Sequence, residues 1–281
     1  MKKITTWLLL ILLVLCTAAF IVYYRFSQAG PDRTAPVISM ETEEITLSVG
    51  DGQEAYLAGV TALDDVDGDV TAMMVVEGVS AIDSRDCVTI TYAAFDRAGN
   101  VAKAHRTGRY TDYEGPKFAL KNPLVFYSGY TIDLLDHITA SDPLDGDLSA
   151  RVKATLSGGE TDLSQEGTHP VDLRVTNSMG DTARITVPVE ICSYAAYDAT
   201  VNLTDYLIYW EKGSPFQAED YLVSLYAGYR EITPEQLGAE GAQIDIHSDV
   251  NPDEPGSYSV SYTITYGSYT GFTRLIVVVE D

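Results

Sequence analysis

Thr61-Ala62-Leu63-Asp64-Asp65-Val66-Asp67-Gly68-Asp69 is the stretch from which the rest of the chain is read. A second copy keeps the frame, with Thr139-Ala140-Ser141-Asp142 followed by Asp145-Gly146-Asp147. Asp-Gly-Asp thus returns 78 positions downstream. Each copy then runs through an alternating strand into a Gly-containing turn: Phe95-Asp96-Arg97-Ala98-Gly99-Asn100, then Thr176-Asn177-Ser178-Met179-Gly180-Asp181. A period of that size is a whole small domain rather than a solenoid unit. The chain reads as a tandem array, which argues for a surface or scaffold role before it argues for an enzyme.

Outward from the repeats, strand patterns dominate. Ile45–Val49 and Val88–Tyr92 alternate apolar and polar residues, as do Val171–Val175 and Ile185–Val189. Pro188 lacks a ladder donor, so its strand is expected at a sheet edge. The cleanest alternation runs from Tyr258 to Tyr266, with Tyr258, Val260, Tyr262, Ile264 and Tyr266 on one face and Ser259, Ser261, Thr263 and Thr265 on the other. That is a half-buried antiparallel strand. Short strands, Gly- and Asp-rich turns and units of this length predict an all-β chain of tandem immunoglobulin-like β-sandwiches. The expected boundaries are a linker at 26–34 and domains at 35–112, 113–191 and 192–281, the last divergent and Tyr-rich. Thr233-Pro234-Glu235-Gln236-Leu237 predicts one helical turn, with Thr233 as N-cap and Pro234 at the first helical position.

At the N-terminus Met1-Lys2-Lys3 precedes an uncharged run from Ile4 to Tyr24. As a helix that run reaches about 30 Å, the thickness of a bilayer's hydrocarbon core. Trp7 and Tyr23-Tyr24 stand where interfacial aromatics belong. Residues 1–25 therefore read as a short cytoplasmic stub and a transmembrane anchor. Lys2 and Lys3 place the N-terminus inside, so the expected location is a single-pass protein of the cell membrane with its later domains outside. Two other readings remain open: a cleaved signal cut after Ala18 or Ala19, and lipidation at Cys16.

Composition narrows the partners. The chain carries 41 acids against 18 bases, a net charge of −23. Such a field repels nucleic acid and anionic lipid and attracts cations. Cys87 and Cys192 fall in different predicted domains, without zinc spacing or a disulfide framework, and are expected as free buried thiols.

The residues so far carry a resemblance. Asp32-Arg33-Thr34-Ala35-Pro36-Val37-Ile38, the Val60–Thr71 segment and Thr89–Asn100 resemble the immunoglobulin-like repeat of pesticidal crystal proteins and many Gram-positive surface proteins, which is similar to hyalin repeats. The likeness is good over 35–112 and moderate over 113–191, where Asn177-Ser178-Met179-Gly180-Asp181 replaces the Asp-Arg-Ala-Gly-Asn turn. The unit 192–281 lacks Asp-Gly-Asp. The resemblance implies an extracellular, non-catalytic β-sandwich used as a spacer or adhesive module.

Two sets of residues are candidate sites. Asp64, Asp65, Asp67 and Asp69, with Asp96 or Asn100 from the later turn, offer oxygens for Ca²⁺; Asp142, Asp145 and Asp147 repeat the pattern. The same residues also suit plain turn chemistry, because Asp bonds nearby backbone N–H groups and Gly adopts positive φ. An EF-hand is excluded, since from Asp65 the Gly falls at position 4 and position 12 is Val76. The second set is aromatic: 11 of the 19 tyrosines lie in 192–281, and Tyr226, Tyr229 and Tyr269 are the candidates for a face that binds a surface protein or a glycan. Packing in the core or along strands is the competing reading for these rings. His105, His137, His169 and His247 form no metal-binding spacing, and there is no Gly-x-Ser-x-Gly elbow or phosphate loop, so catalysis is not expected. Three roles follow: a spacer or adhesion module, a Ca²⁺-stiffened stalk, or an accessory subunit presenting a partner such as a carbohydrate-processing enzyme.

Overall fold

The structure, a computed structural model, describes residues 2–28, 30–157 and 162–280. The chain divides into two compact units, Met1–Thr111 and Asp112–Asp281. The first holds helix α1 (Lys2–Gln28), one β-sandwich and a short helix α2 (Gln53–Tyr56). The second holds two sandwiches and helix α3 (Pro234–Ala239).

Sandwich 1 is built from β1 (Val37–Met40), β2 (Glu44–Leu47), β3 (Val60–Asp64), β4 (Gly68–Asp69), β5 (Val75–Val79), β6 (Cys87–Phe95) and β7 (Val101–Tyr110). Its sheets run β1-β3-β4 and β2-β7-β6-β5. Sandwich 2 is built from β8 (Lys117–Leu120), β9 (Val125–Tyr127), β10 (Ile138–Asp142), β11 (Gly146–Asp147), β12 (Lys153–Leu156), β13 (Gly167–Thr176) and β14 (Thr182–Cys192). The order is the same, β8-β10-β11 facing β9-β14-β13-β12. Sandwich 3 comprises β15 (Thr200–Leu203), β16 (Leu207–Glu211), β17 (Leu222–Ala227), β18 (Arg230–Ile232), β19 (Gln243–Ser248), β20 (Gly256–Tyr266) and β21 (Tyr269–Glu280). It repeats the order once more, as β15-β17-β18 and β16-β21-β20-β19. In all three the second strand pairs parallel with the seventh: β2 with β7, β9 with β14 and β16 with β21. The unit that lacks Asp-Gly-Asp therefore keeps the topology of the two that have it.

Alternation in sequence becomes burial in each sandwich. In β20, Val260, Tyr262 and Ile264 are fully enclosed, and the Tyr262 hydroxyl donates to the Ala218 carbonyl at 2.7 Å. Enclosing such a ring with its hydroxyl satisfied stabilises the core without leaving an orphan donor. In β6, Ile90 and Tyr92 are buried, and Tyr92 donates to the Tyr56 carbonyl at 2.6 Å. Thr233 caps α3 as its sequence predicts: its hydroxyl accepts from the Gln236 N–H, and the Gln236 side chain accepts from the Thr233 N–H.

Three expectations need comment. β14 is not an edge strand, because β9 pairs with it. That pairing covers only Glu190–Cys192, so at Pro188 the strand has one neighbour, and the residue opposite is another without a donor, Pro170. The missing N–H of Pro188 is tolerated by the shortness of β9. The cysteines are free, with Cys87 and Cys192 buried, and burial pushes the Cys192 thiol up. Lastly, α1 covers the run expected to span a membrane, and its described side chains, Trp7 and residues 10–24, are exposed. Among the described residues, however, no helix is long and apolar enough to cross a membrane.

Sandwiches 2 and 3 share a core. Leu207 of β16 and Ile276 of β21 are buried in the same apolar cluster as Phe118, Leu173 and Val189. Tyr209 accepts a hydrogen bond from the Phe118 N–H at 2.7 Å, and burial pushes its phenol up to about 12. Lys117 pairs with Glu280 at 3.2 Å, and Arg274 with Glu190 at 3.0 Å.

Candidate metal centre

In sandwich 1 the β3–β4 and β6–β7 turns lie at the same end, and Asp64 and Asp96 are the last polar residues before each. Asp64 Oδ1 accepts from the N–H groups of Val66 and Asp67 at 2.9 and 2.8 Å. That Asx-type turn delivers the chain to Gly68, whose φ is +73°. Asp96 does the same work on its own turn. Its Oδ1 accepts from the Asn100 N–H at 2.8 Å and its Oδ2 from the Asn100 amide at 2.6 Å. Burial works to raise the Asp96 carboxyl, but the bonds from the Asn100 side chain and backbone outweigh it and hold the group below the ordinary carboxylate range.

A third carboxylate comes from the segment leading into β1. Asp32 places an oxygen so that the ligand atoms of Asp32, Asp64 and Asp96 all lie within 4.8 Å of one another. Asp64 is 7% exposed and Asp96 3%. Asp32 Oδ2 and Asp64 Oδ2 are buried without a hydrogen-bond partner. Ligands on opposite sides of a bound Ca²⁺ stand about 4.6–5.2 Å apart, twice its ordinary oxygen distance. The three oxygens therefore fit around one such ion without moving apart. Left alone, they are like charges taken out of water, the arrangement that proteins ordinarily neutralise with a cation or a proton.

The remaining sequence candidates are placed differently. Asp65 is exposed. Asp67 reaches across to the other turn, where its Oδ2 accepts from the Arg97 N–H at 2.8 Å and its carboxylate pairs with the Arg97 guanidinium at 3.5 Å. Asp69 accepts from the Thr71 N–H at 2.9 Å, and the Thr71 hydroxyl and N–H hold its carboxyl low.

Sandwich 2 repeats the turn chemistry but not the cluster. Asp145 bridges the two turns as Asp67 does, accepting from the Ser178 N–H at 2.7 Å and hydroxyl at 2.6 Å, and from Arg151 at 2.8 Å. These bonds, the Ser178 hydroxyl foremost, hold Asp145 low despite desolvation. Asp147 accepts from the Ser149 N–H and hydroxyl at 2.9 and 2.6 Å. Asp142 is buried like Asp64, yet its Oδ2 accepts from the Asn177 amide at 2.8 Å. Asn177 stands where sandwich 1 has Asp96. The same amide donates to the Tyr113 hydroxyl, which donates to Asp181 Oδ2, both at 2.8 Å. Tyr113 enters from the segment before β8, as Asp32 enters before β1. Burial, then the bond to Asp181, pushes its phenol well above the ordinary range.

In sandwich 3 the corresponding turns carry Gly228-Tyr229 and Gly267-Ser268. The candidate aromatics gather there. Tyr229 is 95% exposed at φ +67° and Tyr226 is exposed. Tyr269 lies against Gly228, its hydroxyl 2.6 Å from where a β-carbon would stand.

Sequence reasoning missed Asp32, Asn177 and Tyr113. The legible signal was the mismatch between copies: Asp96 against Asn177, and an Asp against a Tyr a few residues before the first strand.

No family model matches the sequence, and no curated protein matches it. Among solved structures the chain is similar to the protocadherin GammaB4 extracellular domain, at 12% identity over 88% of this chain and 49% of that one, with a TM-score of 0.20. It is also similar to the CBM51-2 and INT domains of Clostridium perfringens ZmpB, determined in complex with GlcNAc, at 14% identity over 87% and 41%, TM-score 0.23. A third is mouse cadherin-23 EC22-24, at 12% identity over 88% and 99%, TM-score 0.20. The chain spans about half the length of the first two. The likeness is a distant one, to cadherin-like and Ig-like repeats. At these scores nothing about ligands or activity passes from them to this chain.

Proposed function

We propose that the chain is a non-catalytic, extracellular spacer whose first sandwich binds one Ca²⁺ through Asp32, Asp64 and Asp96. The observation that supports this most directly is the Asp64 carboxylate, enclosed with one oxygen unpartnered beside two further carboxylates. Three carboxylates supply part of the six to eight oxygens that Ca²⁺ takes, and carbonyls and water supply the rest. Asp32 belongs to the polar segment ahead of the sandwich, so the ion fastens that segment to the β3 and β6 turns. The shared apolar core of sandwiches 2 and 3 suits the same role, because it resists bending between them.

Calorimetry on the full chain tests the cation. One Ca²⁺ per chain is expected, with binding weakened at least tenfold in Asp64→Asn and Asp32→Asn, both of which keep an oxygen for the local turn. Absence of binding heat, together with an unchanged thermal midpoint in millimolar CaCl₂, overturns the reading.

The location belongs to the same proposal. Residues 4–24 form the uncharged run and Lys2 and Lys3 precede it, which supports a single-pass anchor with the sandwiches outside. The full chain should stay with membranes through alkaline carbonate extraction; release into the supernatant removes the anchor from the proposal. A second reading, a binding module presenting Tyr226, Tyr229 and Tyr269 to a surface protein or glycan, is favoured by the nearly complete exposure of Tyr229 in a left-handed turn. Tyr229→Ala should then abolish retention of the chain on cell-wall glycan or on surface protein without changing its thermal midpoint.

A further inference from the structure

The outer face of sandwich 2 carries a row of cations that the rest of the chain does not lead one to expect. Lys153 on β12 pairs in register with Arg174 on β13, and Arg174 pairs with Arg184 on β14. All three are exposed, while the neighbours Leu173 and Val175 point into the core. Like charges directly opposite one another on adjacent strands destabilise a sheet. The chain holds 41 acids, more than twice its 18 bases, so carboxylates are plentiful. Among the described residues, none pairs with Lys153, Arg174 or Arg184. Arg151, beside them, is already held by Asp145 at 2.8 Å. Asp172, one row along, accepts from the Thr186 hydroxyl at 2.7 Å, and that bond foremost keeps it ionised.

The row opens onto a broad groove. It measures about 860 Å³; Thr155, Asp172, Arg174, Arg184 and Thr186 of sandwich 2 line it beside Ser257 of sandwich 3, with an apolar floor between them. The Ser257 hydroxyl donates to the Thr186 carbonyl at 2.8 Å, which ties the two walls together. A second hollow of about 300 Å³, lined by Arg151, Lys153, Arg174 and Thr176, adjoins it through Arg174. The cations thus stand at the mouth of a preformed concavity rather than on an open plain, which is the usual form of a small-molecule site.

We propose that this groove binds a small molecule bearing a phosphate or carboxylate group, held by Arg174 and Arg184 with Lys153 beside them. A guanidinium presents a planar fork that matches either oxyanion with two parallel bonds. Neighbouring strands lie about 4.8 Å apart, so side chains from adjacent strands close on a single anionic group. The ligand also discharges the repulsion within the row. Its size is limited by the chain's charge: the patch is felt over only about 8 Å at physiological salt, and the chain as a whole carries a net charge of −23. An extended polyanion would run from the cations onto repelling surface. The Thr and Ser hydroxyls of the walls suit the hydroxyl-rich body of a sugar acid or sugar phosphate, and the Asp172 carboxylate in the same wall is placed to accept from a sugar hydroxyl. None of this depends on the cation site of sandwich 1, which lies in the other compact unit.

The test is titration of the full chain, by calorimetry and by thermal midpoint, with inorganic phosphate, a sugar monophosphate and galacturonate. Binding by at least one is expected, weakening as salt rises, and the three arms identify which oxyanion is preferred. Arg174→Gln and Arg184→Gln should each weaken it at least tenfold, and the double variant should abolish it. A second reading guards against misfolding: with no ligand, Arg174→Gln should have a midpoint equal to or above the parent's, because it relieves the row. The proposal is overturned if none of the three probes binds up to 10 mM, or if the double variant binds as the parent does. It is also overturned if a long polyanion such as heparin binds while all three small probes fail.

Discussion

The turn ends of sandwiches 1 and 2 share a backbone and differ in what fills the space between the turns. Each has a buried Asp closing an Asx-type turn, a Gly at positive φ, and a second Asp that ties the β-turns together. Between those fixed points sandwich 1 gathers Asp32, Asp64 and Asp96, whereas sandwich 2 gathers Tyr113, Asp142, Asn177 and Asp181. In the second set every group named has a partner: the amide donates to the buried carboxylate and to the phenol, and the phenol donates to Asp181. In the first set two carboxylate oxygens have none. The same turn is therefore completed in one case by side chains of the chain itself, and in the other two buried carboxylate oxygens stay unpartnered. The exchange of Asp96 for Asn177 is central to the difference, because it replaces a charge with a donor, and Tyr113 in place of Asp32 completes it.

The largest effect is expected from reversing that exchange. Asn177→Asp removes the donor to Asp142 and sets two buried carboxylates side by side. Breaking a buried polar pair in this way costs roughly 3 kcal/mol. Thermal unfolding of the full chain in EDTA measures it, and millimolar CaCl₂ should recover part of the loss. A variant as stable as its parent in EDTA would show that the amide is not what makes sandwich 2 self-sufficient. Next in size is the parent's own response to calcium: a free concentration about a hundredfold above Kd stabilises the binding unit by about 2.7 kcal/mol. Asp142→Asn should leave that response intact and Asp64→Asn should abolish it, or the two sites do not differ as described.

Tyr113→Phe is a gentler break. It removes the hydroxyl that accepts from Asn177 and donates to Asp181, for about 1–2 kcal/mol, again without any dependence on calcium. Acid separates the sites along another axis. Asp96, Asp145 and Asp147 all have folded pKa values below their ordinary ones. Such groups contribute stability that is fully present above the unfolded value, about 3.9, and lost as pH falls through the lower folded value. Stability of both sandwiches should therefore hold down to about pH 4 and fall below it. Calcium binding should weaken over the same range, since Ca²⁺ competes with protons for the Asp96 carboxylate. Loss of stability beginning at pH 6 would assign it to other groups.

How much of this was legible in the sequence depends on distance along the chain. Alternation along Tyr258–Tyr266 fixed a face because neighbours in a strand report on one surface, and Tyr262 is enclosed where that pattern puts it. Asp64 and Asp96 were visible as turn residues for the same local reason. Asp32 was not, because it meets Asp64 only after the fold brings the segment before β1 back to the β3 turn. Asp65 and Asp69 looked equivalent to Asp64 in composition, yet Asp64 ends β3 on its inward face, whereas Asp65 falls in the turn and Asp69 on β4, both exposed. The edge expected at Pro188 holds at that residue but not along the whole strand, because β9 pairs only with Glu190–Cys192, a feature no local pattern carries. Sandwich 3 lacks the motif and was legible through its alternation and length, while the strand order it shares with the other two appears only in the fold.

The smallest effect bears on whether the two backbones are in fact the same. Gly68 and Gly146 have φ values of +73° and +70°, and a β-carbon at either would meet no atom within 4 Å. Alanine at each position then costs only the strain of the left-handed conformation, about 1 kcal/mol, with no steric term to distinguish them. Gly68→Ala and Gly146→Ala should lower the stability of the full chain in EDTA by the same amount, and neither should change the affinity for calcium by more than a few-fold. If one cost several times the other, the turns would differ in their main chain, and the contrast between the Asp triad and the Asn–Tyr network could no longer be assigned to the side chains alone.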